Sequence, residues 1–541
     1  MGGGYSVTER ADAVTTAAEM VAGIVTSALD GIDEKPTDRT RVRRPRLPFP
    51  LLVHHLLPFL PLRDVGRACF FVCKEWRRFA TRESGRGLPD RGDSPGSMWS
   101  VLFRSFWPEP QDGWNAFERE LRRRNALLSG GGGGGGDGNG DDEGWRWQVF
   151  CHRARIDTAF RGAAVDGLPM LPKVGDDNAR HLEACEAIAR LDATRVVTGG
   201  RDWRLVVWDT AARRSERVLP NGGGGGGHHE AIWGLCALGG GAVASASADC
   251  TVKIWDLSTD NNNNHSAPQS LAAHHDSAFC VAPVFTDGAP RARLLVSGGW
   301  DGRVVVHARE LGAGGGACGD GAFAERGAID HAHSDAVWRC DVDADGGDGA
   351  RRVLTGSWDK SAKLWDLETL ACVSTWNGDG DASDGGVLSA QFLPAAGGHL
   401  ALLATNTNDV CVWDARTGRE CGGLRWLGGP GENGISRARA RDATFVVVGK
   451  SSGALELVDF RRVAQRGQRL RDLAFGDRDA RGGAVVATLD GAHSPVAPRF
   501  TSGASRSVLA IDLPPEDPGT LVACDFSGCV RVWNAWGDTR R

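Results

Sequence analysis

Tyrosine is almost missing from this chain: its 541 residues hold one Tyr and four Met against 19 Trp. Long apolar runs are missing too. Nothing approaches about 18 consecutive apolar residues, so no membrane-spanning helix is expected. The most apolar stretch, residues 47–62, is broken by Pro48, Pro50, Pro58, Pro61 and two histidines. No charged start is followed by an apolar core, so no secretory signal is expected. The 14 cysteines form no CxxC pair and no metal-ligand spacing, which predicts reduced thiols in the cytoplasm and/or nucleus, with no metal and no cofactor. A basic excess is also absent. The net charge of −5 with 24% charged residues argues against a general nucleic-acid binder. The glycine runs lack the strand–Gly–Lys–Ser/Thr–helix context of a phosphate-binding loop. Glycine itself is abundant: 75 residues, about twice the usual ~7%, marking loops and linkers.

The length predicts three or four domains. Residues 1–46 read as a disordered, basic N-terminal region containing one helical stripe. Val14, Ala18, Val21, Val25 and Ala28 recur at three- and four-residue spacing, one face of a helix. This makes residues 11–30 a candidate homodimer contact.

Residues 47–80 read LPFPLLVHHLLPFLPLRDVGRACFFVCKEWRRFA. Leu51, Leu52, Leu56, Leu57 and Leu60 make an apolar helical face that Pro61 ends, since proline lacks an N–H and clashes with the preceding turn. Asp64 caps the next helix, with Val65, Ala68, Phe71 and Val72 inside; Trp76 and Phe79 lie on a third. Three short helices in so few residues bury little core alone and gain from docking on a partner. Leu47-Pro48, Leu56/Leu57/Leu60, Leu62-x-Asp64-Val65, Val72-Cys73-x-x-Trp76 and a later Trp99 together resemble the F-box. The resemblance implies a small all-α domain over 47–103, with an insert at 84–97. It also implies that Leu47, Pro48, Leu52, Leu56, Leu60, Val72 and Trp76 bind the Skp-family adaptor of a cullin–RING ubiquitin ligase. Residues 104–162 read as a helical linker broken by glycines 130–136, a flexible stretch. Within it, residues 145–160 resemble the element that joins F-box to propeller in F-box/WD-repeat proteins.

From about residue 176 one pattern recurs: apolar residues, a small-residue turn, often Asp, then an alternating strand ending Trp-Asp. The copies span 196–209, 243–256, 295–308, 353–366, 402–414, 446–459 and 521–534. Trp208, Trp255, His307, Trp365, Trp413, Val458 and Trp533 hold the Trp position, at spacings of 47, 52, 58, 48, 45 and 75 residues. A WD repeat runs ~40–45 residues and makes a four-stranded blade; the excess lies in Gly, Asn and Asp insertions. The pattern resembles the WD-repeat family. In that family the turn Asp bonds a His from the preceding loop, which reaches a Ser or Thr and then the Trp. His333, Thr355, Asp359 and Trp365 match, as do His228, Ser245, Asp249 and Trp255. Copies six and seven lack the Asp and His. The expected fold is therefore mainly β: a seven-bladed WD-repeat β-propeller over 163–541, preceded by the F-box domain and helical linker. The segment 170–174 is expected to close the ring by completing blade seven.

Two positions per blade project toward the channel mouth in relatives. The residue before the turn Asp gives Arg201, Ala248, Trp300, Trp358, Asn406, Ser451 and Phe526. The inner-strand position gives Glu183, Trp233, Phe279, Trp338, Leu388 and Ser436. Arg201, Trp233, Phe279, Trp300, Trp338, Trp358 and Phe526 are the candidate target-binding residues, since aromatics anchor peptides at hot spots. Arg201 stands where relatives place an arginine that grips a phosphorylated peptide. The resemblance implies a non-catalytic substrate-recognition subunit of an SCF-type ligase, its target protein phosphorylated or not. The alternative is a WD-repeat scaffold acting outside a ligase. The His–Asp pairs recur with a Trp, which marks scaffolding rather than a catalytic site.

Overall fold

A computed structural model describes residues 117–123, most of 149–160, and residues 165–536 apart from 166 and twelve loop segments: 220–225, 259–266, 286–290, 311–320, 344–350, 378–384, 394–398, 426–434, 442–444, 460–484, 490–506 and 514–516. The expected F-box and its residues Leu47, Pro48, Leu52, Leu56, Leu60, Val72 and Trp76 lie outside the described residues, as do the helical stripe at 11–30 and Trp99. Of the expected linker, residues 117–123, 152–157 and 159–160 are helical. Contacts divide the chain into two units, one comprising 1–108 and 129–158, the other 109–128 and 159–541. In the first, Arg153 and Asp157 form a fully buried pair one turn apart, 4.0 Å between Nε and Oδ1. In the second, Phe117 stacks on Trp536 at a centroid distance of 5.3 Å.

The second unit is a ring of seven four-stranded antiparallel sheets. Strand β1 is Gly167–Pro169. Blade one holds β2 to β5 (Cys185–Arg190, Arg195–Gly200, Leu205–Asp209, Arg214–Leu219) and blade two β6 to β9 (Ile232–Gly239, Ala242–Ser247, Val252–Asp256, Gln269–Leu271). Blade three holds β10 to β13 (Ala278–Val284, Leu294–Gly299, Val304–Arg309, Phe323–Ile329) and blade four β14 to β17 (Val337–Asp343, Arg352–Ser357, Ala362–Asp366, Cys372–Trp376). Blade five holds β18 to β21 (Val387–Phe392, Leu400–Thr405, Asp409–Asp414, Arg419–Arg425) and blade six β22 to β25 (Ile435–Ala440, Phe445–Lys450, Leu455–Asp459, Val485–Leu489). Blade seven holds β26 to β28 (Val508–Asp512, Thr520–Asp525, Val530–Asn534) and takes β1 as its fourth strand. Blades six and seven are complete although their sequence copies are the most divergent.

Alternation builds the core. The second strand of every blade is buried on both faces, as in the all-buried pattern of β7, so it reads as a mostly apolar run of Val, Leu, Ala and Gly broken only by small or end-of-strand polar residues. The residues between blades form local clusters such as Val196, Val206 and Trp208 with Val522 and Val532. Among the described residues such clusters fill six of the interfaces between neighbouring blades.

The closing strand falls earlier than the expected segment 170–174. Gly167, Leu168 and Pro169 pair with Trp533, Val532 and Arg531, Met170 donates to the Val530 carbonyl, and the chain leaves blade seven at residue 171. Leu171 instead bridges Arg214 of blade one. Gly167 explains the shift: a Cβ there would lie 2.5 Å from the Trp533 indole, so only glycine lets β1 cross that ring. Pro169 is tolerated because β1 is an edge strand, where a missing N–H costs no ladder bond.

Candidate functional site

Four blades carry the same side-chain chain from loop to core. His228 Nδ1 lies 2.7 Å from Asp249 Oδ2, its Nε2 2.7 Å from Ser245 Oγ, and Trp255 Nε1 donates to that hydroxyl at 2.8 Å. His333, Asp359, Thr355 and Trp365 repeat this at 2.8, 2.7 and 2.8 Å. Blade one has it too, through His181, Asp202, Thr198 and Trp208. That set was missed in the sequence, although the spacing from His181 to Thr198 equals that from His228 to Ser245. Blade three joins His274 to Asp301 and Ser297 at 3.1 and 2.9 Å. There His307 replaces the Trp, and its Nδ1 has no hydrogen-bond partner.

These networks reproduce the Asp–His–Ser order of a hydrolase triad, yet the hydroxyls of Thr198, Ser245, Ser297 and Thr355 are fully buried. In three blades an indole N–H already occupies the hydroxyl oxygen. No substrate carbonyl reaches it, so the arrangement is structural. Burial pushes the Asp249 carboxyl up, but the His228 N–H and the backbone N–H of His229 outweigh it and hold it well below its usual value. The same balance takes Asp301 down to about 2. Burial lowers His228, leaving a neutral imidazole that donates from Nδ1 and accepts at Nε2. The lowered carboxyls of Asp202, Asp249, Asp301 and Asp359 place negative charge under the loops of this face.

Six members of the first expected ring stand at equivalent places, and the second ring takes one correction. Arg201, Ala248, Trp300, Trp358, Asn406 and Phe526 each donate their backbone N–H to the residue just before the inner strand of their own blade: Ala184, Ala231, Ser277, Ala336, Gly386 and Ser507. They are structural equivalents around the ring. The inner-strand position is a β-bulge near the start of every inner strand. The bulged residues are Glu186, Trp233, Phe279, Trp338, Leu388, Ser436 and Leu509. Glu186, not the expected Glu183, holds blade one's place, because the register slip falls between Cys185 and Ala187; Glu183 is in the exposed loop before the strand. Leu509 supplies the seventh position.

The bulges turn their side chains toward one another. Trp233 and Trp338 come from blades two apart, yet their centroids are 6.4 Å apart, so they meet over the channel. Phe279 packs between them at 5.5 and 4.6 Å. Trp300 lies 5.4 Å from Phe279 and Trp358 5.6 Å from Trp338. At the other end Arg201 places its guanidinium 5.2 Å over Trp233 and 4.9 Å over Phe526. All seven candidate target-binding residues therefore form one arc across blades seven, one, two, three and four. Trp300 is 54% and Trp358 38% exposed, whereas Phe279 is buried beneath them. The indole N–H groups of Trp233 and Trp338 are buried without a hydrogen-bond partner.

Arg201 donates Nε to Glu186 Oε1 at 2.7 Å, with Glu186 almost wholly buried. Below lies a channel cavity of about 460 Å³ lined by inner-strand residues. Arg437 spans its mouth, donating to the carbonyls of Leu388 and Leu509. Burial and the nearby Arg339 guanidinium bring Arg437 down to about 9. These channel arginines were not picked out in the sequence. They follow their bulge by one residue, a register that only the pairing reveals.

The family described as WD domain, G-beta repeat matches residues 225–256 and 327–366. These are the second and fourth repeats, both with complete His–Asp–Ser/Thr–Trp networks. No curated protein matches the chain significantly. The matched repeats, the recurring networks and the seven closed blades make this chain a carrier of WD40 repeats on a seven-bladed β-propeller, a scaffold for binding other proteins.

Proposed function

We propose that the chain is the substrate-recognition subunit of an SCF-type ubiquitin ligase, working in the cytoplasm or nucleus. Its F-box-like segment recruits the Skp-family adaptor, and the propeller holds the target protein for ubiquitination. Support comes from the string Leu47-Pro48 to Trp76 standing ahead of a propeller whose channel face exposes Trp300 and Trp358. Aromatic side chains clustered at one mouth, with the Trp300 and Trp358 rings exposed, suit the anchor role in a protein interface. The chain contributes binding and placement, while the bond-forming chemistry belongs to the rest of the ligase.

Co-purification with a Skp-family adaptor tests this, comparing the natural chain with Leu56→Asp/Leu60→Asp. Capture by the natural chain and its loss in the variant are expected. A folded natural chain that captures no adaptor would overturn the ligase reading and leave a WD-repeat scaffold acting elsewhere.

A further inference from the structure

In blades one to four the loop before the inner strand carries an acid at one fixed place. Glu183, Glu230, Asp276 and Asp335 each stand two residues after the network histidines His181, His228, His274 and His333. All four are exposed, and none pairs with a cation among the described residues. They flank the aromatic arc on the blades where it is built. The four network aspartates beneath them are held ionised, which doubles the negative charge of this rim. Three of its cations are engaged: Arg201 by Glu186, Arg303 by Asp330, and Lys363 by the carbonyl of Ala332. Arg204 donates to the carbonyl of Asn178, and exposed Lys360 does not reverse the balance.

Between blades three and four the arc and the acids meet. A cavity of about 390 Å³ opens there, walled by the exposed Trp300 and by Asp335, with Asp301 and Asp359 behind; Lys363 also lines it, its ammonium turned onto the Ala332 carbonyl. It is large enough for one long side chain. The arc already takes a cation on its rings, since Arg201 sits over Trp233 and Phe526. An aromatic face beside carboxylates attracts an ammonium or guanidinium through the ring quadrupole and through charge.

We propose that this cavity receives a lysine or arginine side chain of a partner protein, so that the propeller face selects a basic segment. The inference rests on the reading that this face docks the target. It names the charge of that target: the guanidinium or ammonium stacks on Trp300 and pairs with Asp335. A phosphorylated segment would meet the acidic rim and would have to displace Glu186 from Arg201.

The test is a peptide array probed with the full-length chain. Nonapeptides of otherwise mixed sequence carry Arg, citrulline, Lys, Glu or phosphoserine at the central position. Arg and Lys peptides should be retained about tenfold better than citrulline, the neutral shape-match of Arg. Trp300→Ala and Asp335→Asn, both exposed positions, should each abolish that preference with unchanged thermal unfolding. Preference for phosphoserine or Glu, equal binding of Arg and citrulline, no binding to any peptide, or a cationic preference that survives both variants would overturn the proposal. Leu56→Asp/Leu60→Asp should leave the array pattern unchanged, so failure of the adaptor test and failure of this one are separable.

Discussion

Residue by residue, the network positions show what a single substitution does inside a repeated device. Trp208, Trp255 and Trp365 each hand an N–H to a buried hydroxyl; His307 hands none to Ser297. The histidine is 2% exposed. Burial and the neighbouring His274 push it down to about 4, against an ordinary value of 6.5. The folded state therefore refuses a proton that the unfolded chain accepts between those values. Stability from this group is fully present above pH 6.5 and lost as pH falls toward 4, by about 3 kcal/mol for a shift of this size. His307→Leu should shrink the fall in thermal midpoint between pH 6.5 and pH 4. Some slope remains, since His228 is lowered in the same direction. An unchanged slope in the variant would show that His307 does not titrate this way.

At the scale of the element, each blade's turn between second and third strands demands one left-handed residue. Gly302, Asn408, Gly453 and Gly528 fill that place with φ between 68° and 88° in blades three, five, six and seven. Trp203, Cys250 and Lys360 fill it in blades one, two and four at φ of 64°, 67° and 72°, where a Cβ costs roughly 1–2 kcal/mol. Trp203 is 43% exposed and loses little packing if removed. Trp203→Gly should raise the thermal midpoint by about 1–2 °C, from a net gain below about 1 kcal/mol. Trp203→Ala should not, because it keeps the Cβ; equal gains from both would assign the effect to the exposed indole instead. The same turns explain what was legible in the sequence. The Trp-Asp strand and its turn are local, period-two signals, so seven blades could be counted and their outer ring aligned. The bulge depends on pairing with a distant strand. Blade one's inner position was therefore placed on Glu183 rather than Glu186, and Leu509, Arg339 and Arg437 went unread. The blade-one network, by contrast, lay in plain view at Thr198 and Asp202.

For the molecule as a whole, stability depends on joining a strand from the start of the propeller to its last blade. Seven sheets in a ring expose no inner edge, but β28 would be an open edge without β1, a template for pairing with another chain. The strap does more than cover it. Met170 donates to the Val530 carbonyl and packs in the seam between blades seven and one, and Leu171 exchanges backbone bonds with Arg213 and Ser215 of blade one. Two successive residues thus tie the two blades where the circle meets. Gly167 is the weak point, because a Cβ there would run into the Trp533 indole and Arg531 donates to its carbonyl at 2.9 Å. Gly167→Val forces the indole and the strand apart, an overpacking that costs about 1–3 kcal/mol. The variant should melt earlier, be cut by protease between 160 and 175 while the other blades resist, and form dimers or larger species on size exclusion as β28 pairs with a second copy. Leu168→Thr, at an exposed position of the same strand, should do none of these. If Gly167→Val stays monomeric and resistant, the ring is closed by its apolar seams, and the strap is a consequence of that closure rather than its cause.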